Sequence, residues 1–362
     1  MTISAAWRDG ENVFVVADSL LTYAGTGTVP MLRPDSTFLE SSSQNADRRS
    51  HETGCKVFNL GSGVIASYAG ASSAAVGSLK QIRAWLDAGE SLRSIMRSVA
   101  SGSDRQDFRI LLGGGPKGDP QLYCLSSDGS WQEIYEDRVP VVLGSLPDEG
   151  KEFVRRTVLT GYALPPLCAD PDYLMATVLM NLQALGRRVD LTQDKAGGAF
   201  FGMRSEAGCV YSQRDILYVA FSKSELAANR GIELALVGIR DEALMAWPLD
   251  RNIAIFTSDV TPKTDAQIEQ IVRESDLPLE APPFICLLEK RVGALIGIDC
   301  RKAPPAKFVT LKFSEAGYQV TFLPDVMGYV NRIPDPTPEL PSVVLQSFLV
   351  EPNAPNTAPE PT

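Results

Sequence analysis

The sequence predicts an α+β protein: two stacked antiparallel sheets with helix layers outside them, followed by a smaller α+β extension. Three observations carry this. Over residues 2–222, strand-like runs and helical stretches come in blocks: strands, two helices, strands, two helices, strands. Within the strand blocks the runs are joined by short turn signals, so neighbours run antiparallel, and helix pairs set between such blocks fit outside stacked sheets. After residue 223 that order stops, and strands accompany only one clear helix.

Composition limits the rest. The chain has 362 residues, enough for two domains, with 44% hydrophobic and 22% charged residues, ordinary globular values. A net charge of −10 argues against nucleic acid or an anionic membrane as main partner. Six cysteines (Cys55, Cys124, Cys168, Cys209, Cys286, Cys300) form no CxxC pair, and His51 is the single histidine. Metal-ligand spacing is absent, so no metal or cofactor is expected, and scattered thiols fit a reducing compartment. Met1 is followed by no basic region and apolar core, and no apolar run is long enough to span a bilayer, so a cytoplasmic protein is expected. A Ser-His-Asp or Cys-His mechanism could use only His51, which reads as an exposed loop histidine in the polar run DRRSHETG.

The elements follow in order. Thr2 to Arg8 and Asn12 to Ala17 flank Asp9-Gly10, a hairpin signal of type I′. Pairing Arg8 with Glu11 sets Thr2 opposite Ala17; a four-residue loop sets it opposite Ser19. Residues 20–54 are polar and rich in Gly, Ser, Thr and Asp, and read as a long loop insertion. Cys55 to Leu60 and Val64 to Tyr68 form a second hairpin about Gly61-Ser62-Gly63, with Lys56 and Gly70 at its same end. Val76, Leu79, Ile82 and Leu86 mark one helix, and Leu92, Ile95, Met96 and Val99 another. Strands are expected at 108–112, 121–125, 130–134 and 139–143. Phe153, Val154, Thr157 and Val158 mark the third helix. Leu174, Val178, Leu182 and Leu185 mark the fourth, after Asp170 as cap and Pro171 in the first turn. Gly197-Gly198 opens three strands, ending with Ile216 to Phe221.

In the extension, residues 223–333, strands are expected at 232–239, 253–256, 284–288, 294–298, 308–313 and 318–322. Thr264 and Gln267 have capping-box spacing for a helix to Arg273. Residues 334–362 form a proline-rich tail, largely disordered by composition, with an apolar island at Leu345 to Val350 that docks on a partner or on its own domain.

Taken singly, Thr2 is the second residue of a strand, Asp18 a turn or cap residue, and Lys56 an edge lysine. Gly70 is a strand-to-helix turn, and Ser145 an N-cap for the helix that follows. Their order says more. Thr2, then VVADS ending at Asp18 and Ser19, then Lys56 opening a strand, then YAG ending at Gly70, resembles a proteasome β-type subunit of the N-terminal-nucleophile (Ntn) hydrolase superfamily. The steps Thr2 to Asp18 and Lys56 to Gly70 match that family. LGS at 143–145 resembles its serine motif, and Gly197-Gly198 its late glycine pair. The similarity covers residues 2–222.

The resemblance implies a four-layer αββα sandwich and a threonine-type amidohydrolase, most simply a peptidase, acting through an acyl-enzyme on Thr2. The mechanism is physically sensible on its own. With Met1 removed, Thr2 carries its own base, an α-amine with an unperturbed pKa of about 7.7 to 8.0. By resemblance, Lys56 is the cation that lowers the hydroxyl's pKa, and Asp18 holds Lys56 in place. Gly70 offers its N–H to the oxyanion, and Ser145 and Asp194 support the threonine amine and hydroxyl.

Departures are visible. Gln193 stands at the family's late aspartate position, Ala196 at its serine position, and Leu20 where an arginine is usual. Asp194 is one residue late, and the stretch between Asp18 and Lys56 is long. Only Met1 precedes Thr2, so no long propeptide is expected. The resemblance also implies homo-oligomers, rings among them, peptide or unfolded-protein substrate, and a separate ATP-driven unfoldase, since no ATP-binding glycine loop occurs here. A small-molecule amidase and a non-catalytic structural subunit that keeps Met1 are the two alternatives.

Overall fold

Alternating apolar residues build the first hairpin, β1 (Ile3–Asp9) and β2 (Asn12–Asp18). The computed structural model describes residues 3–24, 48–52, 54–99, 107–163, 170–186, 198–224, 226, 232–248, 254–257, 260–274, 282–289, 294–301, 308–314, 317–333 and 348–350. Asp9 pairs with Asn12 and Ser4 with Ala17, so the turn is Gly10-Glu11 and the register is the second of the two considered. Of these two turn residues only Gly10 has positive φ, +56°, which suits type II′ rather than the expected I′.

The expected long loop at 20–54 is ordered at its base. β3 (Leu20–Ala24) pairs antiparallel with β4 (Arg48–Glu52). Residues 25–47 lie outside the described residues. Next come β5 (Val57–Gly61), β6 (Val64–Gly70), α1 (Ser72–Asp87) and α2 (Leu92–Val99). β7 (Phe108–Gly114), β8 (Gln121–Ser126), β9 (Trp131–Glu133) and β10 (Val141–Gly144) follow. Then come α3 (Asp148–Ala163), α4 (Pro171–Gly186), β11 (Phe200–Glu206) and β12 (Cys209–Ser212).

Two five-stranded antiparallel sheets result, in the orders β10-β1-β2-β11-β12 and β5-β6-β7-β8-β9. β1 and β2 meet β6 and β7 across the sheets, α1 packs on β5, β6 and β7, and α4 packs on α3, β11 and β2. The period of two sorts the residues. Val64, Ala66 and Tyr68 of β6 pack in one core with Leu79, Ile82, Ile95 and Met96 of the helices. Ser67, on the other face of β6, bonds Ser4 of β1 hydroxyl to hydroxyl. α4 is largely apolar, and every residue from Tyr173 to Gly186 is buried, Thr177, Asn181 and Gln183 included. Its cap is the expected one: Asp170 Oδ1 accepts from the N–H groups of Asp172 (3.0 Å) and Tyr173 (3.1 Å).

The chain divides into two compact units. The first is Met1–Gln213 with Gly238–Ala246 and Ile253–Ser275; the second is Arg214–Val237, Trp247–Asn252 and Asp276–Thr362. β13 (Ile216–Phe221), read from the sequence as the last strand of the first domain, thus belongs to the second unit. There it pairs antiparallel with β14 (Glu233–Arg240) and stands beside later strands.

Beyond β14, the first unit includes residues of β15 (Ala243–Pro248), which pairs with β16 (Ala254–Phe256) and which the sequence reading missed. It also holds α5 (Asp265–Glu274), whose Ile271 packs on Ala243 and Ile255. The capping box forms: Thr264 N–H donates to Gln267 Oε1 (2.9 Å), and Gln267 N–H to Thr264 Oγ1 (3.3 Å).

In the second unit, β17 (Phe284–Glu289) runs parallel to β13 and antiparallel to β18 (Leu295–Asp299). β19 (Val309–Ser314) and β20 (Gly317–Phe322) form a hairpin, followed by the unforeseen α6 (Pro324–Arg332). The apolar island docks on its own chain: β21 (Phe348–Val350) pairs parallel with β18. The remaining tail lies outside the described residues. No described helix is long and apolar enough to cross a membrane.

Replacing the α4 cap, Asp170→Ala, is expected to lower stability by about 0.5–2 kcal/mol, read as a lower urea midpoint at unchanged slope.

Candidate active site

Asp18 ends β2 and Lys56 stands just before β5, in the facing sheet. Lys56 Nζ donates to Asp18 Oδ1 at 2.6 Å, and neither side chain has any exposed surface. The same oxygen accepts the Ile3 N–H at 3.1 Å. One carboxylate therefore holds both the first described amide of the chain and the buried ammonium. Thr2, covalently joined to Ile3 N, lies outside the described residues, as does Asp194.

Two more strand ends come to this place. Gly144, the last residue of β10, pairs with Ile3, and exposed Ser145 follows it directly. Phe200, the first residue of β11, pairs with Asp18 on the other side. Gly70 closes β6; Val57, next to Lys56, pairs with Ser67 three residues before Gly70, so Lys56 and Gly70 share one end of that hairpin. Gly70 has φ +104°, and a Cβ there would lie 2.5 Å from Asp107 O and 2.7 Å from Phe108 Cα. The backbone of β7 thus already requires glycine, whatever else the residue does.

Burial pulls the Lys56 pKa below its ordinary value, and the Asp18 charge and hydrogen bond oppose that pull. The pair is a poor stabilising device, since desolvating two charges offsets most of their attraction and apolar replacements are often no worse. Its place where these strand ends meet makes it a candidate site. Cys55, one residue before Lys56, is no rival nucleophile. Burial pushes its thiol up to about 12, and it donates to Val57 O at 3.3 Å.

Two contributors were not singled out from the sequence. Ser19 N–H donates to Ala199 O at 2.9 Å, and Ala199 N–H donates back to Ser19 Oγ at 2.9 Å. Gln183 of α4 holds Gly198 O (2.8 Å) and Phe200 N–H (3.1 Å). Ser19 sits in the VVADS motif, and Gln183 is one of three buried polar residues, with Thr177 and Asn181, in a largely apolar helical run; those were the available signals. With this geometry in hand, comparison with protein-family models and with curated proteins finds no match to the chain.

Asp18→Ala is expected to cost about 3–5 kcal/mol, because it strands a buried ammonium, and less in a Lys56→Met background. Urea unfolding of both singles and the double measures this. The pH dependence has a definite sign. Folded Lys56 releases its proton below the ordinary 10.5, so the unfolded chain binds more protons in that window. This group's penalty is full at low pH and vanishes as pH rises to 10.5, and Lys56→Met removes that component of the stability profile.

Proposed function

We propose that the first unit is a threonine-type Ntn hydrolase of four-layer αββα architecture, cutting peptide bonds with Thr2 after Met1 is removed. The observation that carries this is the shared carboxylate: Asp18 Oδ1 receives both the Ile3 N–H and the Lys56 ammonium. Ile3, joined through that nitrogen to the residue before it, thus shares one carboxylate oxygen with a buried cation. A hydroxyl needs such a neighbour, because it is a weak nucleophile until its proton can leave. Helices on the outer face of each sheet support the architecture.

In this reading the Thr2 α-amine takes the Oγ proton as Oγ forms a bond to the substrate carbonyl carbon. Lys56 lowers the cost of the developing alkoxide, and Asp18 keeps the ammonium aimed. Gly70 N–H receives the oxyanion. The C–N bond then breaks, and the α-ammonium returns its proton to the leaving amine, leaving an ester on Thr2. Water, deprotonated by the same amine, attacks the ester carbonyl; the C–Oγ bond breaks, the α-ammonium returns its proton to Thr2 Oγ, and the acid leaves. Ser145 and Asp194 hold the amine in position. Cys55 stays a spectator.

The test is hydrolysis of unfolded casein and of short peptide amides by the wild type, Thr2→Ser and Thr2→Ala. The expected result is turnover by the first two and loss in the third to below roughly one part in 10³. Equal turnover by Thr2→Ala would refute the proposal. Cleavage of small amides alone would favour the small-molecule amidase.

A further inference from the structure

We infer that Ser19 and Gln183 are positioning residues that fix the Gly198–Phe200 backbone against Asp18; this rests on the hydrolase reading above. Two consecutive peptide units are involved, and side chains hold most of their polar groups. Gln183 Nε2 donates to Gly198 O at 2.8 Å, and Ser19 Oγ accepts Ala199 N–H at 2.9 Å. Ser19 N–H donates to Ala199 O at 2.9 Å, and Gln183 Oε1 accepts Phe200 N–H at 3.1 Å. Gln183 is 1% exposed and Ser19 is fully buried.

Satisfying buried backbone groups would alone explain these bonds. What is fixed argues for more. Phe200 is the cross-strand partner of Asp18. Ser19 O also accepts the Gly54 N–H at 3.2 Å, two residues before Lys56. The Ser19 peptide thus joins, within one residue, the acid, the segment that delivers the ammonium, and the start of β11. Released, each could drift independently, and misplacements of about 1 Å cost on the order of 100-fold in rate.

Ser19→Ala removes one acceptor; Gln183→Met removes both Gln183 bonds at similar volume. Each is expected to lower kcat for peptide hydrolysis roughly 10- to 100-fold with KM unchanged. Ser19→Thr, which keeps the hydroxyl, is expected to restore the rate. Hydrogen exchange at Ala199 and Phe200 should quicken in the Ala and Met variants respectively, with a lower melting temperature because each leaves buried backbone groups unpaired. If Ser19→Ala fails to fold, Gln183→Met decides alone. Faster exchange with unchanged kcat would make the lock structural only and overturn the inference. A wild type without Thr2-dependent turnover removes the hydrolase reading and this inference together, whereas an active wild type with insensitive variants removes the inference alone.

Discussion

A buried ammonium against a buried carboxylate is the constraint around which the first unit is arranged. Lys56 and Asp18 are 38 residues apart in sequence and 2.6 Å apart in space. Water must be kept from both, so the two sheets close on each other at this end. Glycine lets the sheets approach closely further along β2: a Cβ on Gly113 of β7 would collide with Val13 Cγ1 in the facing sheet. Nothing in the stability of such a pair rewards the arrangement, because removing two charges from water offsets most of their attraction. A protein that needed only a core would place apolar residues there.

The same carboxylate also fixes the start of β1. Strand β1 lies between β10 and β2 in its sheet, so its first residues are held on both sides rather than frayed at an edge. Ile3 pairs with Gly144 on one side and donates to Asp18 on the other. Strand β1 thus starts inside a sheet, with its first described amide on the carboxylate that holds Lys56.

Much of this was legible in the sequence, for identifiable reasons. The helices announced themselves because Leu79, Ile82, Leu174 and Val178 repeat at helical spacing, and all are buried. Asp170 and Thr264 capped the helices expected of them because capping is local chemistry. Asp18 and Lys56 were found through order and spacing. The register of the first hairpin stayed open because Asp-Gly fits two pairings, and cross-strand pairing, which is not local, chose between them. The hairpin at the base of residues 20–54 was missed because polar strands such as Arg48–Glu52 carry no apolar alternation. The Ser19–Ala199 bonds join residues 180 apart, which no local pattern can report. The interleaving of residues 238–246 and 253–275 with the first unit is tertiary for the same reason.

The central claim is that Thr2 becomes the first residue beside the Asp18–Lys56 pair. The most direct measurement is N-terminal sequencing with intact mass, on protein expressed in cells with active methionine aminopeptidase. The account predicts a chain that begins at Thr2 with a free α-amine. Complete retention of Met1, or a blocked amine on Thr2, would contradict it.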